Sequence, residues 1–352
     1  MMFTLPQASK MSRLAILMAC LFLMGCWSQS ETLEFRGETM GTTFSVVAVD
    51  HTGDIDPQRV QDGIDATLAH VNSAMSNWDP DSEISRFNSS GTQVVAITPE
   101  LADVMDVANQ IHAASDGQFD VTLGPLIDLW GFGERTAQSA VPSEAEIATA
   151  KAAVGQSRLL TLSRDPDTLQ KSDADVSVYL AAIAKGHAID RIAIALSDLG
   201  LSDFMVEIGG DLITSGVNPR GTAWRIGIER PDLSSQRVED VVPLTDLGMA
   251  TSGDYRNYFE QDGVRYSHII DATTGRPITH GTASVTVLAD SAMAADAWAT
   301  ALLALGSDRG MPLAEKNDLA VFFIDRDPSI LEAGFSTLAS SRFQEILASE
   351  EE

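Results

Sequence analysis

Apolar residues recur along this chain in two rhythms. Val60, Ile64, Leu68, Val71 and Met75 follow the three-to-four spacing of one buried helix face. Leu101, Val104, Met105, Ala108 and Ile111 repeat it; Thr98-Pro99 supplies a cap and a first-turn proline, and the helix is expected to stop near Gly117. Ser143 and Glu146 have capping-box spacing and predict another helix. Residues 180–198 predict a long helix entering from a loop, and a further helix runs from about Ser291 to Leu305, with Gly306 to end it. The second rhythm is shorter and predicts strands at 42–49, 205–211, 224–229, around Tyr266–Ile270, 284–289 and 320–325. Strands in runs, with helices grouped elsewhere, favour an α+β fold with mixed or antiparallel sheets over a doubly wound sheet.

The first 25 residues follow a different pattern. Lys10 and Arg13 precede LAILMACLFLMG (14–25), an apolar run too short for a comfortable membrane span. It ends in Leu23-Met24-Gly25-Cys26, which resembles a bacterial lipobox. The expected organisation is a lipoprotein signal peptide (1–25), a tether lipidated at Cys26 (26–34) and one domain (35–348), held at the periplasmic face of the inner membrane. Only two cysteines occur, Cys20 and Cys26. The exported domain then has no thiol or disulfide and relies on core burial, which its length allows. The net charge of -27, with no Lys/Arg stripe, argues against a nucleic-acid partner.

No zinc-like His/Cys cluster, P-loop or G-x-S-x-G elbow is present in the sequence. Asp296 and Thr300 are one helical turn apart and can offer two oxygens to a hard cation such as magnesium. The same spacing also suits a threonine bonded to its own backbone beside a solvated aspartate. The glycines of EIGGD (207–211) and LWGFG (129–133) permit close ligand approach or simply tight turns. In SHIIDATTGRP (267–277), strand alternation puts His268 and Ile270 on one face and Ile269 and Asp271 on the other. His268 is a candidate general base or a core histidine bonded to backbone. Gly275 suits a left-handed turn position.

Taken in order, the motifs ETMGTTFSV (38–46), SEISRFN (82–88), DVTLGPLIDLWGFG (120–133), IAKGHAID (183–190), VEIGGDL (206–212), TSGDYRNY (251–258), SHIIDATTGRPI (267–278) and ADAWATALLALG (295–306) resemble the ApbE family of FAD:protein FMN transferases, over about residues 36–345. The resemblance implies an ApbE-like, T-fold-related domain with the flavin site in a cleft. It implies magnesium-dependent transfer of FMN from FAD to a Thr or Ser hydroxyl, releasing AMP. Implied acceptors are exported subunits like those of sodium-pumping NADH:quinone reductase or Rnf-type complexes. By motif, Met40, Trp78, Gln118, Phe119, Asp120, Lys185 and Ile270 would contact FAD. Asp296, Thr300 and the Ala182 carbonyl would hold the metal, and His268 would help deprotonate the attacking hydroxyl. The chain departs from the family at YLAAIAKG (179–186): Tyr179 stands where an acidic residue is usual, and Ala181-Ala182 replace glycines. Tyr179 is still expected at the cofactor. FAD hydrolysis to FMN and AMP, or lipid-anchored flavin binding without turnover, are the competing readings.

Overall fold

The computed structural model describes residues 30–133, 141–232, 237–330 and 334–349, so the predicted signal peptide and Cys26 lie outside the described residues. The framework is one eight-stranded sheet. Its strands are β1 (Glu31–Thr39), β2 (Thr42–Asp50), β3 (Asp203–Ile208), β4 (Asp211–Ser215), β5 (Gly248–Gly253), β6 (Thr282–Ala289), β7 (Ala320–Arg326) and β8 (Phe335–Ala339). They lie side by side in chain order, and each neighbouring pair is antiparallel. The α+β expectation holds, with an antiparallel main sheet.

Both faces of the sheet are covered. The helices packed on one face include α1 (Pro57–Met75), α2 (Pro99–Ala114), α3 (Ala184–Asp198) and α4 (Ala292–Leu305). Their apolar stripes meet Val46, Ala48, Val206, Val285, Val287 and Phe323 of the strands. On the other face Leu212, Met249, Leu288, Phe322 and Ile324 meet Val242 and Leu244 of the Trp224–Glu229/Val238–Leu244 hairpin and Phe343 of the last helix. Double coverage is why seven of the eight β6 residues are buried, the polar Thr282, Ser284 and Thr286 among them. The helix α5 (Ser307–Lys316) follows α4 directly, and Gly306 at φ +73° makes the corner.

The predicted caps are in place. Thr98 Oγ1 accepts the Leu101 N–H, Ser291 Oγ accepts that of Ala294, and Ser143 and Glu146 form the reciprocal box. The predicted strand 205–211 is in fact two strands. Gly209 and Gly210 both adopt positive φ (61° and 99°) and fold it into the β3–β4 hairpin. β1 begins at Glu31, inside the stretch read as tether, and buries Leu33 and Phe35 against the helices.

A close approach of α3, α4 and β5 fixes the site. A Cβ on Gly186 would lie 2.3 Å from the Ala292 carbonyl oxygen, and one on Gly248 would lie 2.6 Å from the Ala292 nitrogen. Only hydrogen fits at either position. Asp190 of α3 completes the joint by accepting the N–H groups of Ala292 (2.8 Å) and Met293 (3.0 Å), so its carboxylate sits at the positive end of α4.

Candidate functional site

A cavity of about 470 Å³ opens where the segments inserted between the strands converge. Its wall takes Gln118–Val121, Tyr179, the N-terminal end of α3, the β3–β4 turn, the end of β5, and residues 255–257 and 268–270. Asp296, Thr300 and Ala304 of α4 close one side.

The charged centre is built by the α3–α4 crossing. Lys185 Nζ is paired with Asp211 Oδ2 and lies 3.6 Å from Asp296 Oδ1. Both carboxylates are almost fully buried, whereas Lys185 keeps 31% of its side chain exposed. Burial works against the lysine's charge, but Asp211 and Asp296 outweigh it and hold its pKa above the ordinary value. Burial, with Asp211 nearby, pushes Asp296 up to about 6 despite Lys185 and the Gly186 N–H. That N–H lies in the first turn of α3, where the backbone supplies no acceptor, and Asp296 Oδ2 accepts it at 3.1 Å. Thr300 Oγ1 faces Ser252 Oγ at 3.1 Å. The donors gathered here are all oxygens, the set a hard cation prefers. Among the described residues no group of three or more His, Cys, Asp or Glu forms a candidate metal cluster.

His268 stands at the cavity wall with its tautomer fixed. Its Nδ1 lies 2.9 Å from the Asn257 carbonyl oxygen, which can only accept, so Nδ1 carries the proton and Nε2 keeps a lone pair. Burial draws its pKa below the ordinary histidine value, against the opposing pull of the Asn257 carbonyl and Asp254. The ring is therefore neutral at neutral pH and able to take a proton.

Gln118 carries a second signal. It is buried at the wall, and its Nε2 has no hydrogen-bond partner among the described residues. A buried donor without an acceptor costs free energy unless a ligand or water supplies one.

The ApbE family model matches residues 40–323 of the chain. The chain belongs to the ApbE family. Among relatives, an FAD:protein FMN transferase of Vibrio cholerae is 41% identical over 336 residues, 95% of this chain and 98% of the relative. One from Haemophilus influenzae is 40% identical over 345 residues, 96% and 98% respectively. The solved structure of flavin transferase ApbE from Vibrio cholerae matches with TM-score 0.82 at 40% identity, over 90% of this chain and 99% of that one. The apo form of Pseudomonas stutzeri flavinyl transferase ApbE gives 0.81 at 38% identity, over 91% and 98%.

Most residues singled out in the sequence meet at this ApbE-family cavity: Gln118, Phe119, Asp120, Tyr179, Ala182, Lys185, His268, Ile270, Asp296 and Thr300. Two stand outside its lining. Trp78 is 67% exposed and packs edge to face on the lining residue Tyr179 at 5.6 Å. Met40 occupies the β1–β2 turn at φ 49° and packs partly on the core. Asp120 lines the wall, yet its carboxylate is turned inward. It accepts from Thr122 N (2.7 Å), Thr122 Oγ1 (2.5 Å) and Gln156 N (2.9 Å), and so shapes the loop. Tyr179, raised to about 12 by burial and by Asp128, stays a neutral phenol.

The strand around His268 is not continuous. Ser267 Oγ accepts the Ile269 N–H, the ladder ends at Ser267, and the chain crosses to a separate ribbon pairing Ile270 with Pro277. The expected alternation therefore fails, and His268, Ile269 and Ile270 all line the cavity. Asp271 caps the following turn at Thr273 and Thr274 and also accepts from Arg309. Arg309 bonds the Ala304 carbonyl as well, tying this turn to the end of α4. Sequence reasoning missed Asp211, Asp190 and Ser252. Asp211 was visible only as the end of a glycine turn, and no local signal pairs any of the three with its partner.

Proposed function

We infer that this chain is an FAD:protein FMN transferase. One observation carries the inference: a histidine with a free Nε2, an oxygen-rich acidic centre and a buried amide lacking an acceptor share one cavity in an ApbE-family chain matched over nearly its full length. In the proposed reaction a Thr or Ser hydroxyl of the acceptor attacks the FMN-side phosphorus of FAD. The hydroxyl proton passes to His268 Nε2, the bond from that phosphorus to the bridging oxygen breaks, and AMP leaves. Gln118 offers its N–H to a flavin acceptor, Ile270 gives the ring an apolar wall, and Tyr179 and Lys185 bound the rest of the dinucleotide.

Asp296, Thr300 and the Ala182 carbonyl fit a magnesium ion by their oxygen chemistry, and would hold it. Such an ion, when bound, neutralises phosphate charge. Lys185, set between Asp211 and Asp296, keeps the two carboxylates from repelling each other and the substrate. Cys26 is the proposed lipid attachment, which would hold the domain at the periplasmic face of the inner membrane. There it would meet exported acceptor subunits of the sodium-pumping NADH:quinone reductase or Rnf type.

Incubation of the protein with FAD, magnesium and an acceptor domain tests this by mass spectrometry. The expected result is FMN covalently added to the acceptor, abolished by EDTA and by Asp296→Asn. Free FMN and AMP with an unmodified acceptor would mark a hydrolase, and intact bound FAD a carrier.

A further inference from the structure

Among the described residues, two permanently basic side chains line the cavity, Lys185 and Arg256, and the transfer chemistry gives Arg256 no task. Lys185 is committed to two buried carboxylates. Arg256 is paired with Glu229, another lining residue, and this pair is open to solvent at 61% and 36% side-chain exposure. The guanidinium also lies 5.5 Å from the ring centroid of buried Tyr255. Asn257, next in sequence, supplies the carbonyl that fixes His268.

The lining is otherwise unfavourable to an anion. Glu229 and Asp296 oppose Lys185 and Arg256, and Asp211 is paired with Lys185. A dinucleotide brings two more negative charges. An exposed ion pair contributes little to stability and exchanges partners readily. A guanidinium fork matches two phosphate oxygens at once, and such charge-assisted bonds are about twice as strong as neutral ones.

We propose that Arg256 is a pyrophosphate-binding residue parked on Glu229, which it leaves for the phosphates when the dinucleotide enters. Glu229 then acts as the competitor that sets how much affinity the phosphates deliver. The proposal rests on the reading of this cavity as an FAD site. Sharing the loop of Asn257, the bound guanidinium would stand on the same side of the substrate as His268.

Flavin-fluorescence titration of the full chain with FAD, and with riboflavin as a ligand lacking phosphate, tests it. Arg256→Gln is expected to weaken FAD binding about tenfold or more, the loss of a charge-assisted bond, while leaving riboflavin unchanged. Arg256→Lys should recover part of the loss. Glu229→Gln, which frees the guanidinium, should tighten FAD. Retained riboflavin binding shows that each variant has folded. Wild-type FAD affinity in Arg256→Gln, or an equal loss of both ligands, overturns the proposal, as does a Glu229→Gln variant that weakens FAD. Failure of the unmodified protein to bind FAD would instead overturn the functional reading itself.

Discussion

Gly186→Ala probes the joint that carries the acidic centre. The new Cβ would stand 2.3 Å from the Ala292 carbonyl oxygen and 2.6 Å from Met293 Cα. Both are backbone atoms and neither can rotate away. Ordinary contact begins at 3.4 Å, so α3 and α4 must part by about 1 Å. Overpacking of this kind costs about 2–3 kcal/mol, and the better helix propensity of alanine returns at most about 1 kcal/mol. The net loss of about 1–2 kcal/mol should lower Tm by roughly 2–6 °C. The same shift stretches the 3.1 Å bond from Gly186 N to Asp296, and a misplacement near 1 Å can cost about a hundredfold in rate. Gly63→Ala in α1 is the control. Its Cβ would meet only Leu199 Cδ1, at 3.6 Å, so Tm should hold or rise. Circular-dichroism melts and mass-spectrometric transfer rates read both effects. A Gly186→Ala protein that melts with the parent and transfers FMN at the parent rate would refute the argument that this contact sets the site.

His268→Ala should lose about 10²–10⁴ in transfer rate, and the parent's rate should climb with pH and level off below the ordinary histidine value, because burial lowers the folded pKa; undiminished transfer by the variant would remove His268 as the base. Gln118→Met deletes a buried donor without a partner, so the ligand-free protein should melt at or above the parent temperature while FAD binds less tightly, by about tenfold; calorimetry with and without FAD separates the two. Burial raises Asp190 to about 6 despite its two amide donors, so between its unfolded value near 3.8 and 6 the folded state holds the extra proton and this residue's contribution rises as pH falls. Asp190→Asn cannot follow, and its Tm should drop further below the parent's at pH 5 than at pH 7.5; an offset constant with pH would contradict the shift.

What the sequence made legible was mostly local. Helix faces, caps and the Gly306 stop depend on neighbours a few residues apart, and α1, α2 and α4 follow the predicted periods. β5 escaped notice because Gly248, Thr251, Ser252 and Gly253 make it polar and small. It is a strand because its neighbours β4 and β6 pair with it, and its glycine lets α4 approach. The break after Ser267 was equally hidden, since a serine side chain that captures the Ile269 N–H looks like any strand serine. At the site, the Asp296/Thr300 spacing was readable from one helical turn. The Lys185–Asp211–Asp296 arrangement was not, because its members come from separate elements that only the folded sheet brings together.

The sequential order of β1 to β8 has a consequence for biosynthesis. Each strand can pair as soon as its successor emerges, except that β3 follows β2 only after the long excursion carrying α1, α2 and α3. Lys185 and Asp211 are made well before Asp296 and Thr300. A ribosome-bound fragment that stops short of α4 therefore already has the basic residue and one acid but cannot assemble the rest. Competence is conferred late and all at once, when α4 docks against α3.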